Sequence, residues 1–296
     1  MISLLVTDLD NTLYDWVTFF ALSFSAMIDA ALPVLDVDRD VLLDDLKKVH
    51  QRYHNSEQPF ALLEADCVRH RFGSLSRKEL ADKLDVAFHR FNSVRSQTLQ
   101  LYPGVIETLS QVRATGCRVV AHTEATVVNA QFRLSKLGLT ALIDKLYAVE
   151  HLGGDHPRAA KQLEASAIPH VRTLKLHERK PDPAVLKEIC EDSGVDPTNA
   201  LYVGDSVARD VGMANAAGVH SVWARYGTAY DRSHWKTLVR ITHWTEEDVR
   251  RNEEATSKYG AARPELVIDR FDELTENYAF GPARTASGSD KAFFVG

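Results

Sequence analysis

Residues 14 to 100 read almost wholly as helix, and they stand between an opening apolar run, Met1 to Val6, and the next strand-like run at 117–122. A helical stretch placed directly after a first strand cannot lie in the sheet which that strand begins, so it must pack as a body of its own. Apolar residues recur within it at helical spacing over Trp16–Leu32, Arg39–Tyr53, Pro59–Phe72 and Lys78–Leu99. Tyr102-Pro103-Gly104 breaks that pattern, and Val105–Thr115 follows as an amphipathic helix ending near Gly116. From there strand and helix alternate, with strands predicted at 117–122, 145–149, 200–204 and 220–223, a helix over Pro183–Ser193, and one more strand at 265–269. This alternation predicts an α/β fold built on a doubly wound parallel sheet.

The first strand ends in chemistry. Val6-Thr7-Asp8-Leu9-Asp10-Asn11-Thr12 sets two carboxylates one residue apart at the close of an apolar run. Side chains at i and i+2 of a strand share a face, and open α/β sheets bind ligands beyond the carboxyl ends of their strands. Two close carboxylates repel unless a proton or cation offsets them, so a hard metal ion such as Mg²⁺ is a natural third member. Alone, Asp-x-Asp also describes an ordinary surface turn. Three later segments agree with the richer reading, in type and in order: a strand ending at Thr123, Arg179-Lys180-Pro181-Asp182-Pro183 opening a helix, and Ala200–Val203 running into Gly204-Asp205, with Asp210 one turn further on.

This ordered set resembles the haloacid dehalogenase superfamily of phosphohydrolases, over roughly residues 1 to 228. The resemblance implies a Rossmann-like core of residues 1–14 and 101–284 and a helical cap of the C1 type over 15–100; the small, polar residues from Thr285 to Asp290 read as part of a mobile tail at 285–296. It implies Asp8 as nucleophile and Asp10 as general acid/base, with Thr123 and Lys180 holding phosphoryl oxygens. Asp8, Asp205 and the backbone carbonyl of Asp10 would ligate Mg²⁺, and Asp210 would be a further carboxylate on the metal side. The chemistry asks for such residues independently: phosphoryl transfer depends on positioning and on stabilising charge spread over equatorial oxygens. A carboxylate nucleophile divides one difficult displacement into two. The expected activity is Mg²⁺-dependent hydrolysis of a small phosphorylated metabolite. A phosphomutase would keep the same residues, a haloacid dehalogenase would need neither Asp10 nor Asp205, and a binding protein would be expected to have lost one of them.

Other residues take plainer roles. Asp182 is expected to cap a helix, and Asn11, Asp15 and Asp192 to be structural. Glu124, beside the Thr123 hydroxyl, is expected to turn away from a phosphate or to meet the leaving group. His50-Gln51-Arg52-Tyr53-His54 reads as a solvated helix end, with leaving-group contact as the alternative. The stretch from 151 to 178, with Gly153-Gly154, His151, His156, His170 and His177, fits no zinc spacing and reads as an inserted loop or lid. Residues 231–258 look like a charged appendage.

Composition excludes several classes. Net charge of −6, with no basic stripe, argues against a nucleic-acid partner, and no apolar run is expected to reach the roughly 20 residues that span a bilayer. The opening residues lack a basic segment and read as a strand, not a signal peptide. Cys67, Cys117 and Cys190 are odd in number and widely spaced, and are expected to be buried thiols in a reducing cytoplasm.

Overall fold

Four consecutive buried residues form β1 (Leu4–Thr7), and this first strand lies in the middle of the sheet. The structure, a computed structural model, describes residues 1–152 and 168–283. Its sheet runs β4 (Val171–Leu174), β3 (Lys145–Val149), β2 (Arg118–Thr126), β1, β5 (Ala200–Gly204), β6 (His220–Ala224) and β7 (Leu266–Ile268), with every pairing parallel. Unbroken apolar runs suit this arrangement because a parallel sheet is covered on both faces. Leu4 and Val6 point into one core cluster with Val120, Tyr202 and Leu186, while Leu5 joins the larger cluster on the opposite face.

Strand order places the site. β1 pairs with β2 on one side and with β5 on the other, so the chain changes winding direction at β1 and leaves a crevice beyond the strand ends. Thr7 is level with both Ala121 and Val203. Residues just past those three positions therefore gather at one height.

The helical stretch comprises α1 (Trp16–Leu35), α2 (Arg39–Tyr53), a 3₁₀ turn at Pro59–Leu63, α3 (Asp66–Phe72), α4 (Arg77–Lys83) and α5 (Asp85–Thr98). The Asp15 side chain caps α1 by accepting from Thr18 N–H at 2.9 Å. Two expected helices are each divided. Pro59–Phe72 breaks between the 3₁₀ turn and α3, and Lys78–Leu99 breaks at Leu84, after a capping box of Ser76 and Glu79 has started α4. Helix α1 is long and apolar enough to cross a bilayer, which corrects the expectation that no such run exists. Its apolar face, including Phe20, Phe24 and Met27, is buried in the core, chiefly against α5.

On the core side follow α6 (Val105–Ala114), α7 (Val127–Lys136), α8 (Pro183–Asp192) and α9 (Gly212–Ala217). Two expectations need correction. Part of the stretch read as a loop between 151 and 178 is the edge strand β4, short and half exposed, whose four residues carry no alternation that marks a strand. The Gly153-Gly154 and His156 portion, and the tail at 285–296, lie outside the described residues. Nor are residues 231–258 an appendage. They form α10 (Arg232–Ile241) and α11 (Glu246–Tyr259), and α10 packs on α1 and α2 while α11 packs on the turn at 207–211. This strap spans from the sheet side to the helical stretch. His50, expected at a solvated end, is buried against it and donates Nδ1–H to the Ile241 carbonyl at 2.8 Å.

Candidate active site

Asp8 leaves β1 as the first residue past the paired segment, its N–H still donating to Val203 O at 2.9 Å. The turn behind it is held by Asn11, which adopts a left-handed conformation (φ 59°) and accepts from Trp16 N–H at 3.1 Å through Oδ1. Asp8 is buried. The Thr12 hydroxyl donates to its Oδ2 at 3.1 Å, and the Lys180 ammonium approaches its Oδ1 at 2.5 Å.

Lys180 also reaches Asp210 Oδ1 at 2.9 Å. It sits just before α8, where Asp182 accepts from Ala184 N–H at 2.9 Å and Pro183 occupies the first turn, as the sequence indicated. Asp210 is fully buried in a π-type turn, Val207–Val211, with its Oδ2 accepting from Ser206 N–H at 2.9 Å. Asp205 follows Gly204 at the end of β5. Carboxylate oxygens of Asp8, Asp205 and Asp210 all lie within 4.8 Å of one another, which among the described residues is the one such group of acidic, His or Cys side chains.

Three carboxylates share one ammonium in this cluster. Burial pushes Asp8 up to about 7, helped by Asp210 and Asp10 and opposed by Lys180. Asp205 is driven well above the carboxylate range by burial, Asp8 and Asp210. Burial pulls the other way on Lys180, yet Asp210 and Asp8 outweigh it and hold the ammonium well above its ordinary value. The excess of negative charge and the all-oxygen donor set fit a hard divalent cation.

Asp10 is treated differently from its neighbour. Its Oδ1 accepts from the Tyr14 hydroxyl at 2.7 Å, and its Oδ2 accepts from Arg133 Nη2 at 3.4 Å, a nitrogen that also lies 3.2 Å from Oδ1. Arg133, on α7, is almost wholly buried and also pairs with Glu57, which accepts in turn from the Trp16 indole N–H. Burial raises the Asp10 carboxyl, with Arg133 working against it and Glu57 with it. Thr123 is buried at the end of the regular part of β2, where Oγ1 accepts from Ala125 N–H at 3.0 Å.

The crevice opens as a cavity of about 490 Å³. Asp8, Asp10, Thr123, Lys180, Asp205 and Asp210 line its floor. One wall comes from the helical stretch, with Trp16 and His54–Glu57, and the other from the strap, with Trp235, His243, Trp244, Arg251 and Asn252. The six residues expected to act in catalysis or metal binding therefore line one cavity.

Residues 2–218 match the haloacid dehalogenase-like hydrolase family, and residues 177–274 match the HAD-hydrolase-like family. The chain belongs to the haloacid dehalogenase-like hydrolases. It is 26% identical over 281 residues to the glyceraldehyde 3-phosphate phosphatase of Methanopyrus kandleri, covering 94% of this chain and 100% of that one. It is 34% identical over 127 residues to the phosphoglycolate phosphatase of Rhodospirillum rubrum, covering 43% of this chain and 42% of that one. A crystal structure of the HAD phosphatase from Thermococcus onnurineus shares the fold, with a TM-score of 0.52 and 20% identity across 93% of this chain and 97% of the other.

Within this haloacid dehalogenase-like chain the sequence reading missed the strap and a set of arginines. Glu124 neither turns from the crevice nor stands alone: it lines the cavity and is neutralised by Arg209 at 2.7 Å, whose guanidinium also lies over the Trp244 ring. Arg179 pairs with Asp248 at 2.6 Å. Arg251 donates to the carbonyls of Leu176 and Arg179. Only the adjacency of Arg179 to Lys180 and of Arg209 to Asp210 could have hinted at two of them. Asp15, Asn11 and Asp192 do take structural roles, the last accepting from Lys145 and Tyr147 on β3. Cys117 and Cys190 are buried free thiols, while Cys67, in the first turn of α3, is partly exposed.

Proposed function

We propose that this haloacid dehalogenase-like protein is a phosphoric monoester hydrolase that forms an aspartyl-phosphate on Asp8. One observation carries the reading: the Lys180 ammonium meets Asp8 within a cluster of acids, while Asp10, two residues on, is held apart by Tyr14 and Arg133. Nucleophile and acid/base thus have separate surroundings, as two-step displacement asks of them.

In the first step an Asp8 carboxylate oxygen bonds to phosphorus. The bond from phosphorus to the leaving oxygen breaks, its electron pair stays on that oxygen, and Asp10 gives it a proton. In the second step a water oxygen attacks phosphorus, its proton passes to Asp10, and the Asp8–phosphorus bond breaks to free inorganic phosphate. Lys180 and Thr123 hold equatorial oxygens through both steps. Mg²⁺ held by Asp8, Asp205 and the Asp10 carbonyl, with Asp210 on the same side, would supply positive charge where those oxygens collect.

The helical stretch over 15–100 acts as the cap in this reading, and the leaving group sits between it and the strap. Its relatives' names support a small phosphorylated metabolite as substrate. Arg179 and Arg209 in the cavity wall are paired with Asp248 and Glu124, so the wall is polar without a large excess of charge and favours a polar leaving group. The free thiols of Cys117 and Cys190 support a reducing, cytoplasmic setting. A dehalogenase reading is weaker, since attack on carbon has no use for Asp10 or for the cluster around Asp205.

Phosphate release from a panel of sugar phosphates, nucleotides and short phospho-acids, with and without Mg²⁺, tests the proposal with wild type beside Asp8→Asn. Metal-dependent release that the substitution removes is expected. Isomerised phosphate esters without release would mean a mutase, and halide release from a haloacid would mean a dehalogenase.

A further inference from the structure

The two-step scheme needs nothing of Arg133, yet its position is unusual. Its side chain is 1% exposed, and an arginine so buried must be paired, because a lone buried cation is strongly unfavourable. Its two partners come from different parts of the molecule. Nη2 meets Asp10 at the end of β1, and Nη1 meets Glu57, in the segment between α2 and the 3₁₀ turn of the helical stretch. Glu57 lines the cavity and is itself fixed by the Trp16 indole at the start of α1. The guanidinium lies over the Tyr14 ring, 5.5 Å from its centre, and the Tyr14 hydroxyl bonds the same Asp10 oxygen that Arg133 approaches most closely.

These contacts fix the plane of the Asp10 carboxylate. Oδ1 accepts from Tyr14 and Oδ2 accepts from Arg133 Nη2, which also lies 3.2 Å from Oδ1, so the carboxylate cannot turn about its axis without losing a donor. General acid catalysis requires its protonated oxygen to stand about 3 Å from the leaving atom. A planar fork with two separate N–H edges can hold two carboxylates at a set angle, which an ammonium cannot. Resting on the phosphatase reading above, we propose that Arg133 is a positioning residue that aims Asp10 at the leaving oxygen, with Glu57 as its clamp on the helical stretch. Asp10 is then aligned for proton transfer only while the segment around Glu57 is seated on the core.

A merely structural ion pair would slow all substrates alike, whereas a positioning role depends on the leaving group. An alkoxide must be protonated as it departs, while p-nitrophenolate departs with much less help. The measurement is kcat/KM for an alkyl phosphate that wild type hydrolyses and for p-nitrophenyl phosphate, which reports the step in which Asp10 donates. Arg133→Lys keeps the charge and loses the fork, and its alkyl rate should fall about tenfold further than its aryl rate, within the span that acid catalysis supplies. Glu57→Gln, nearly equal in size and at the cavity edge, should shift the ratio the same way by roughly threefold or more, and it carries the test if Arg133→Lys does not fold. Equal losses on both esters in the folded variants would overturn the proposal. Absence of phosphate release by wild type from either ester would instead overturn the hydrolase reading.

Discussion

Lys180 Nζ lies 2.5 Å from Asp8 Oδ1, across 172 residues of chain. Both side chains are buried, and the same ammonium holds Asp210. Lys180→Ala would leave two buried carboxylates with no cation, a kind of loss that costs about 3–5 kcal/mol. The variant should release phosphate some 10²–10³-fold more slowly, the range for losing one preorganised donor to a developing oxyanion. Its urea midpoint should fall and partly recover in Mg²⁺. Unchanged kinetics would remove Lys180 from the site.

Asp8→Asn should end turnover without weakening the metal-free fold. Burial raises the folded-state value of Asp8 from 3.8 to about 7, so between those values the native protein holds a proton which the unfolded chain has released. Stability therefore declines as pH climbs through that window and levels off above it. The asparagine variant lacks this slope, so the two melting curves should separate most above pH 7. A variant that melts well below wild type there would contradict the charge crowding inferred for the cluster.

Histidines at the strap give the opposite slope. Burial pushes His50 and His243 down from 6.5 to about 4. Neutral imidazole is what the fold accepts, with His50 bonded to Ile241 O and His243 to the Ser56 hydroxyl at 2.9 Å. The unfolded chain binds protons first as pH falls from 6.5, so this contribution is present above 6.5 and lost on the way to 4. Hydrogen exchange should show α2 and α10 opening earliest on acidification. Uniform loss of protection would count against a labile strap.

Gly204 is needed for a steric reason and not for its backbone freedom. A Cβ there would fall 2.4 Å from the Asp210 carboxyl carbon. Gly204→Ala must displace Asp210, costing about 1–3 kcal/mol as an overpacked site. Mg²⁺ dependence of activity should move to roughly 10–100-fold higher concentrations, as when a group supporting a metal ligand is lost. If half-activation by Mg²⁺ stays where it is in wild type, Asp210 has no part in holding the ion.

The strand ends could be read from sequence because each is local: an apolar run, then Asp8, Thr123 or Gly204-Asp205. Lys180 was legible through its proline neighbours. Arg133 was not, since a basic residue in the last turn of a helix is ordinary, and its partners Asp10 and Glu57 are 123 and 76 positions away. The strap escaped for a related reason. Its charged sequence suits solvent, and only the tertiary fold turns Trp244, Arg251 and Asn252 toward the crevice. β4 was missed because four half-buried residues carry almost no pattern.

The place of β1 at the centre of the sheet has a bearing on how the protein comes into being. The Asp8 strand is made before every other strand of the sheet, but its hydrogen-bonding neighbours are residues 118–121 and 200–203. Long-range pairing of this kind closes late. A growing chain thus carries its nucleophile for most of its synthesis with no phosphate site around it, since the site cannot close before residue 210 has emerged.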